Sequence, residues 1–246
     1  LNDLESLTIK TPVYIASENQ IHVSSKAPLR VQVDAFYGID KLKFLDLSEN
    51  KIQRFTINTL CPLNDVKTLN ISNNDLVSLD DIVVTGGCLG SVQVLDVSNN
   101  NIDGVLDYQR LQVWSSVSTL DLSKNKIERV TEDAFNMLKI TLRVLDLSDN
   151  RLTTLPENVF SQAHYITSIN LSNNLISSLS KNVFKHSRDT LAYLDLSQNR
   201  LTLIGKNLIA NMTKIVRLDL SHNQLETLHP RALSGLKLLE DLNLGY

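Results

Sequence analysis

Apolar residues along this chain keep a fixed spacing. They recur as L-x-x-L-x-L-x-x-N-x-L, first at Leu42, Leu45, Leu47, Asn50 and Ile52, and in the seventh copy at Leu191, Leu194, Leu196, Asn199 and Leu201. Eight asparagines mark the copies: Asn50, Asn74, Asn100, Asn125, Asn150, Asn174, Asn199 and Asn223, separated by 24, 26, 25, 25, 24, 25 and 24 residues. The centre of each copy alternates apolar and polar, the period of a strand with one buried face. In the fourth copy Leu120 and Leu122 are predicted to point inward and Asp121 outward. No single copy can bury its own leucines, so the copies must stack in parallel and align the leucines in columns. The Asn column interrupts the apolar pattern for a reason. Its amide can bond backbone groups of adjacent copies that stacking would otherwise bury unpaired.

A period of this length with this motif is the leucine-rich repeat signature. It predicts an α/β solenoid, a horseshoe with a parallel β-sheet on the concave face and an irregular or short-helical convex side. The return segments repeat as well. Phe36, Phe135, Phe160 and Phe184 stand six or seven residues before the first pattern position, and Leu233 takes the equivalent place later. Trp114 lies three residues before Val117, where Leu63, Leu89 and Leu236 sit in other copies. That register assigns the only Trp to the core rather than to a ligand-stacking position.

Residues 1–41 read as a degenerate repeat with an irregular insertion. Residues 42–246 carry eight full copies and a truncated ninth, all in one continuous solenoid. Leu4, Leu7 and Ile9 fit a strand, but Pro12 stands where an Asn is due. The polar stretch from Thr11 to Leu29 is expected to leave one edge of the array. Neither end carries a polar or cysteine-rich cap, which a solenoid needs to cover its terminal leucines and open strand edges. The expectation is a fragment of a longer array, with Leu1 a processed or engineered start.

Composition narrows the chemistry. A formal net charge of −3 over 246 residues leaves no basic footprint for nucleic acid. No apolar run is long enough to span a bilayer. His22, His164, His186, His222 and His229 fall in different copies without metal-ligand spacing, and no nucleophile elbow or phosphate loop occurs. Catalysis needs converging groups at one site, whereas a solenoid spreads its side chains along a surface. The expectation is therefore no enzyme, no metal and no cofactor.

The third copy is longer, and its return loop holds Gly86, Gly87, Cys88 and Gly90. The other cysteine, Cys61, lies in the preceding return loop. Cys61 is 8 residues before strand Leu69 and Cys88 is 7 before Leu95, so the two occupy nearly equivalent places in adjacent copies. Stacked strands lie about 4.8 Å apart, within the roughly 4.4–6.8 Å that a disulfide requires between Cα atoms. A Cys61–Cys88 bond fits this spacing and an oxidising compartment. Two buried free thiols in a cytosolic array are the alternative. Three N-x-S/T sequons begin at Asn70, Asn170 and Asn211. The first two arise from the strand consensus itself, and Asn211, in a return segment, is the better glycan candidate.

The irregular start leads into Asp34-Ala-Phe36-Tyr-Gly-Ile-Asp-Lys-Leu42, then Leu60-Cys61-Pro62-Leu63, then a glycine-rich loop with Cys88. This succession resembles the N-terminal half of Toll receptor ectodomains, particularly the long Tolls of invertebrates. The resemblance covers essentially the whole chain. It implies the extracellular part of a single-pass cell-surface receptor that serves innate immunity, development or adhesion. The implied partners are a protein ligand, a microbial molecule or another receptor ectodomain, with homodimerisation of the full ectodomain as in the family. The family's cysteine-rich caps, transmembrane segment and signalling domain are absent from this sequence. A secreted or matrix adhesion scaffold and an intracellular scaffold are the rival readings.

Register also lists the outward-facing columns. One is Asp46, Asn70, Asp96, Asp121, Asp146, Asn170, Asp195, Asp219 and Asn243. Asp121 and Asp146 within it are candidates for docking a basic partner. The plainer reading is a consensus strand whose Asp bonds to Ser, Asn or Lys across strands. A ladder of carboxylates this close should raise some of their pKa values. The neighbouring column varies: Phe44, Thr68, Val94, Thr119, Val144, Ser168, Tyr193, Arg217 and Asp241. Variation at an exposed place in a strict repeat is where specificity can reside. Phe44 with Val94, and Tyr193 with Arg217 and Arg200, are the contact candidates, since aromatics and Arg are enriched at binding hot spots.

Overall fold

The computed structural model describes residues 13–17, 20–23, 29–31, 35–56, 58–82 and 88–245. The strands are β1 (Val13–Ser17), β2 (Gln20–Val23), β3 (Phe44–Asp46), β4 (Thr68–Asn70), β5 (Val94–Asp96), β6 (Asp103–Leu106), β7 (Thr119–Asp121) and β8 (Lys126–Val130). They continue as β9 (Val144–Asp146), β10 (Ser168–Asn170), β11 (Tyr193–Asp195), β12 (Leu203–Ile204), β13 (Arg217–Asp219), β14 (Thr227–Leu228) and β15 (Asp241–Asn243). Eleven of them form one sheet in the order β1-β2-β3-β4-β5-β7-β9-β10-β11-β13-β15. From β2 onward every pairing in that sheet is parallel and keeps strict register, so that Ser168, Ile169 and Asn170 face Tyr193, Leu194 and Asp195. On the return side β6 pairs with β8 and β12 with β14, and a single helical turn spans Tyr108–Leu111. This is the parallel-sheet solenoid that the repeat predicts.

Each strand of the main run is three residues long, with its centre facing the core and its flanks facing out. The central column, Leu45, Leu69, Leu95, Leu120, Leu145, Ile169, Leu194 and Leu218, is fully buried. Each such side chain contributes about 1.5–3 kcal/mol by leaving water. A second column on the return side stacks Phe135 on Phe160 at 5.7 Å and Phe160 on Phe184 at 5.9 Å between ring centroids. Trp114 is 1% exposed, in the core as its register requires.

The Asn column ties repeat to repeat. Asn74 Oδ1 accepts from the N–H of Asn50 (3.1 Å) and of Ile52 (2.8 Å), while its Nδ2 donates to the carbonyls of Leu47, Ile71 and Ser72. Asn125 likewise accepts from Ile102 N–H and donates to the carbonyls of Val97, Leu122 and Ser123. Both amides thus satisfy their own turn and the repeat before it. The residue ahead of each Asn adopts the left-handed backbone region: Glu49, Asn73, Asn99, Lys124, Asp149, Asn173, Gln198 and His222, with φ between 50° and 60°. The chain must swing out of the strand there, and it does so without glycine.

One expectation is corrected. The stretch Thr11–Leu29 does not leave the array over its described residues. β1 pairs antiparallel with β2, and β2 pairs in parallel with β3, placing Gln20, Ile21 and His22 opposite Phe44, Leu45 and Asp46. That offset is one 24-residue repeat (44 − 20 = 24). At that offset Ile21 and Val23 stand in the two strand-leucine places, while Glu18, Lys26 and Pro28 stand where Leu42, Asn50 and Ile52 do in the next copy. Backbone pairing preserves a period that side-chain identity had obscured. The strand expected at Leu4, Leu7 and Ile9, and loop residues Gly86 and Gly87, lie outside the described residues.

Cys61 and Cys88 form a disulfide, with their Cα atoms 4.9 Å apart. It staples the two return loops that flank β4. Among the described residues no helix is long and apolar enough to cross a membrane.

Candidate binding surface

The outward columns of the sheet divide by chemistry. In the Asp/Asn column, all nine positions have the side-chain oxygen accepting the backbone N–H two residues on, as Asp121 does from Ser123 at 2.9 Å and Asp46 from Ser48 at 2.9 Å. Cross-strand bonds add to this: Asn170 Nδ2 donates to Asp146 Oδ2 (2.9 Å) and Asn243 Nδ2 to Asp219 Oδ2 (3.1 Å). The column therefore shapes the strand exits. This shared role explains why Asp and Asn interchange there.

Its electrostatics still vary along the sheet. Burial pushes the Asp121 carboxyl above its ordinary value. Bonds from Ser123 oppose the shift, and the flanking Asp146 and Asp96 carboxylates reinforce it. Burial also raises Asp219, but bonds from Ser221 and Asn243 and the nearby Arg217 outweigh it and leave this carboxyl lowered. The acidic centre of the stripe thus lies at Asp96, Asp121 and Asp146, where no Asn intervenes.

The variable column grades from half-buried to open. Phe44 and Val94 are half-buried and lie two strands apart with Thr68 between them. They do not form a pair. Tyr193 is 50% exposed and stands directly beside Arg217 in register. Arg217 Nε lies 3.2 Å from Asp241 Oδ2. Tyr193, Arg217, Ser168, Asn170, Asp195 and Asp219 line a shallow depression of about 140 Å³ on the sheet. Arg200 is elsewhere. It lies past the strand exit with Asn173, Gln198, His222 and Gln224 around a separate open depression. Of the proposed contact residues, the structure brings together Tyr193 and Arg217. Val94 is four strands from Tyr193, about 19 Å at the usual strand spacing.

A further cluster was missed in the sequence. On the edge just before the strands, the Arg143 guanidinium lies 4.7 Å from the centre of the Tyr165 ring and donates to the carbonyls of Ile140, Thr141 and Leu142. Ile140 beside it is 61% exposed. The available signal was Ile140 itself. The other copies place Asp40, Asn64, Gly90, Ser115, His164, Asp189, Thr213 and Lys237 at this position, none of them a large apolar residue.

A sheet of aligned repeats with an aromatic–Arg stripe defines a class, a repeat scaffold that presents a surface. The model of the leucine rich repeat family matches residues 19–76, 140–190 and 189–246, which is more than half of the chain. The chain belongs to the leucine-rich repeat family. Among solved structures its fold matches that in the Toll–Spatzle complex of Drosophila, with a TM-score of 0.75 and 23% identity over 87% of this chain and 28% of the other. It also matches the TLR13–ssRNA13 complex, with a TM-score of 0.79 and 24% identity over 93% of this chain and 32% of the other. These similarities show the leucine-rich repeat horseshoe fold. Among curated proteins, adenylate cyclase of Schizosaccharomyces pombe is 28% identical over 101 residues, 41% of this chain and 6% of that protein. The chain spans a third or less of each of these relatives.

Proposed function

We propose that this chain is part of an extracellular Toll-type receptor ectodomain that grips a protein partner on its concave sheet, centred on Tyr193 and Arg217. The observation that carries this reading is their adjacency: an exposed Tyr and an exposed Arg paired in register, both residue types enriched at binding hot spots. The Cys61–Cys88 bond supports an oxidising compartment. One solved relative, Toll, is in complex with a protein, Spatzle, and another with single-stranded RNA. The acidic column beside Tyr193 opposes phosphate and favours a protein. A role in immune or developmental signalling follows from the Toll resemblance and belongs to this same proposal. The Ile140–Arg143–Tyr165 edge supports a second reading, in which the partner docks laterally.

The test is a binding screen of the full ectodomain against a panel of extracellular proteins, followed by variants. Tyr193→Ala should weaken a saturable hit roughly 30-fold, the loss of about 2 kcal/mol expected of a hot-spot aromatic. Ile140→Asp should leave that hit unchanged. Loss with Ile140→Asp and none with Tyr193→Ala would move the site to the edge and refute the concave reading.

A further inference from the structure

The three sequons begin alike in sequence, but the fold gives them different surroundings. Asn170 is the last residue of β10, half-buried, with both branches of its amide engaged. Its Oδ1 accepts from Ser172 N–H and from the Ser172 hydroxyl, at 3.0 and 2.8 Å, and its Nδ2 donates to Asp146. The hydroxyl of the sequon is thus spent on the sequon's own asparagine. Asn70 is the equivalent residue of β4. It is half-buried, its Oδ1 accepts from Ser72 N–H at 2.9 Å, and it stands between Asp46 and Asp96 in the register. A sugar on either would stand in the outward columns, one strand spacing of about 4.8 Å from each neighbour.

Asn211 differs in every respect. It is exposed, in the return turn ahead of β13, with a left-handed backbone (φ 61°). Its backbone N–H donates to Ser234 at 2.8 Å, and its side chain lies against the bare backbone of Gly235, where a Cβ would come within 2.5 Å of Oδ1. The neighbouring repeat thus leaves the room that this amide occupies. Gly235 has a φ of 80°, so glycine is required there for conformation as well as for space. Oδ1 is the branch that lies against Gly235, and among the described residues Nδ2 makes no hydrogen bond. The hydroxyl of Thr213, the third sequon residue, donates to Asp189 and leaves the amide free.

We infer that Asn211 carries an N-linked glycan, that Asn70 and Asn170 are bare, and that the concave sheet is thereby left open to its partner. The inference rests on the extracellular reading above. In the reaction, Asn211 Nδ2 attacks the anomeric carbon of a lipid-linked oligosaccharyl diphosphate under the host's oligosaccharyltransferase. A carbon–nitrogen bond forms, the carbon–oxygen bond to the diphosphate breaks, the lipid diphosphate leaves, and the amide releases one proton. The glycan then projects from a turn on the return side rather than from the sheet.

The test is glycopeptide mass spectrometry of the full-length protein purified from cells that make it naturally, with thiol alkylation before and after reduction on the same sample. The expected result is glycan on the peptide containing Asn211, none on those containing Asn70 and Asn170, and a disulfide between Cys61 and Cys88. In a eukaryotic secretory host, Asn211→Gln should remove one glycan step in mass, and Asn170→Gln should remove none. An intact disulfide with Asn211 bare, or with glycan on Asn70 or Asn170, overturns this inference and leaves the extracellular reading standing. Free thiols with all three asparagines bare overturn both.

Discussion

Asp121 shows how one column can hold both structural and electrostatic information. Its carboxylate shapes a turn through Ser123 N–H, yet burial and two flanking carboxylates raise its pKa. A carboxyl whose folded pKa is raised favours the folded state below its unfolded pKa of about 3.9, and that contribution is lost as pH rises through the folded value. At neutral pH Asp121 therefore costs stability. Asp121→Asn, which keeps the accepting oxygen and matches the chain's own choice at Asn70, Asn170 and Asn243, should raise the urea midpoint at pH 7. The gain should shrink as the pH is lowered toward 4, as pH-dependent denaturation would check. An unchanged or lowered midpoint at pH 7 would show that the charge is compensated. The sequence made the ladder legible and did not locate its centre. That required knowing that burial singles out Asp121, while Asn170 donates to Asp146 and Asn243 to Asp219.

Among the elements, the asparagine turn and the disulfide carry the coupling between repeats. Asn125→Ala leaves the Ile102 N–H without its acceptor and takes one of two donors from the carbonyls of Val97, Leu122 and Ser123, which keep Asn100 Nδ2, Asn150 Nδ2 and Asn99 N–H. Unsatisfied buried groups cost about 1–3 kcal/mol each, partly relieved by relaxation. The expected loss is about 1–3 kcal/mol for the one orphaned N–H, measured by denaturant unfolding, with the fourth repeat opening first because solenoid stability is a nearest-neighbour property. Closing a loop across 27 residues should stabilise by about 3–4 kcal/mol in the chain-entropy account. The double variant Cys61→Ser, Cys88→Ser should fall by about that much and be cleaved first by protease near the second and third repeats. The strands, the asparagine column, the buried Trp114 and the cysteine pairing were all legible because each rests on a periodic position. The left-handed residues before each Asn were not, since Lys124, Gln198 and Glu49 carry no local preference for that backbone region. Nor was β2, whose pairing with β3 depends on backbone hydrogen bonds that no leucine announces.

At the scale of the molecule, the array is a ruler of strands on which chemistry is placed by row and column. Rows fixed by register put Tyr193 beside Arg217 and separated both from Phe44 and Val94. That sorting of the candidates was beyond the sequence, which gives columns but not exposure. The edge cluster of Ile140, Arg143 and Tyr165 is a rival exposed surface, so it and the concave face must be told apart by experiment. Hydroxyl-radical footprinting of the full ectodomain, free and bound to a protein captured in the screen, does this in one measurement. Tyr193 and Tyr165 are each half exposed and comparably reactive probes, one on each face. Concave binding predicts that Tyr193 is protected in the complex while Tyr165 stays reactive. Protection of Tyr165 with Tyr193 still oxidised would contradict it.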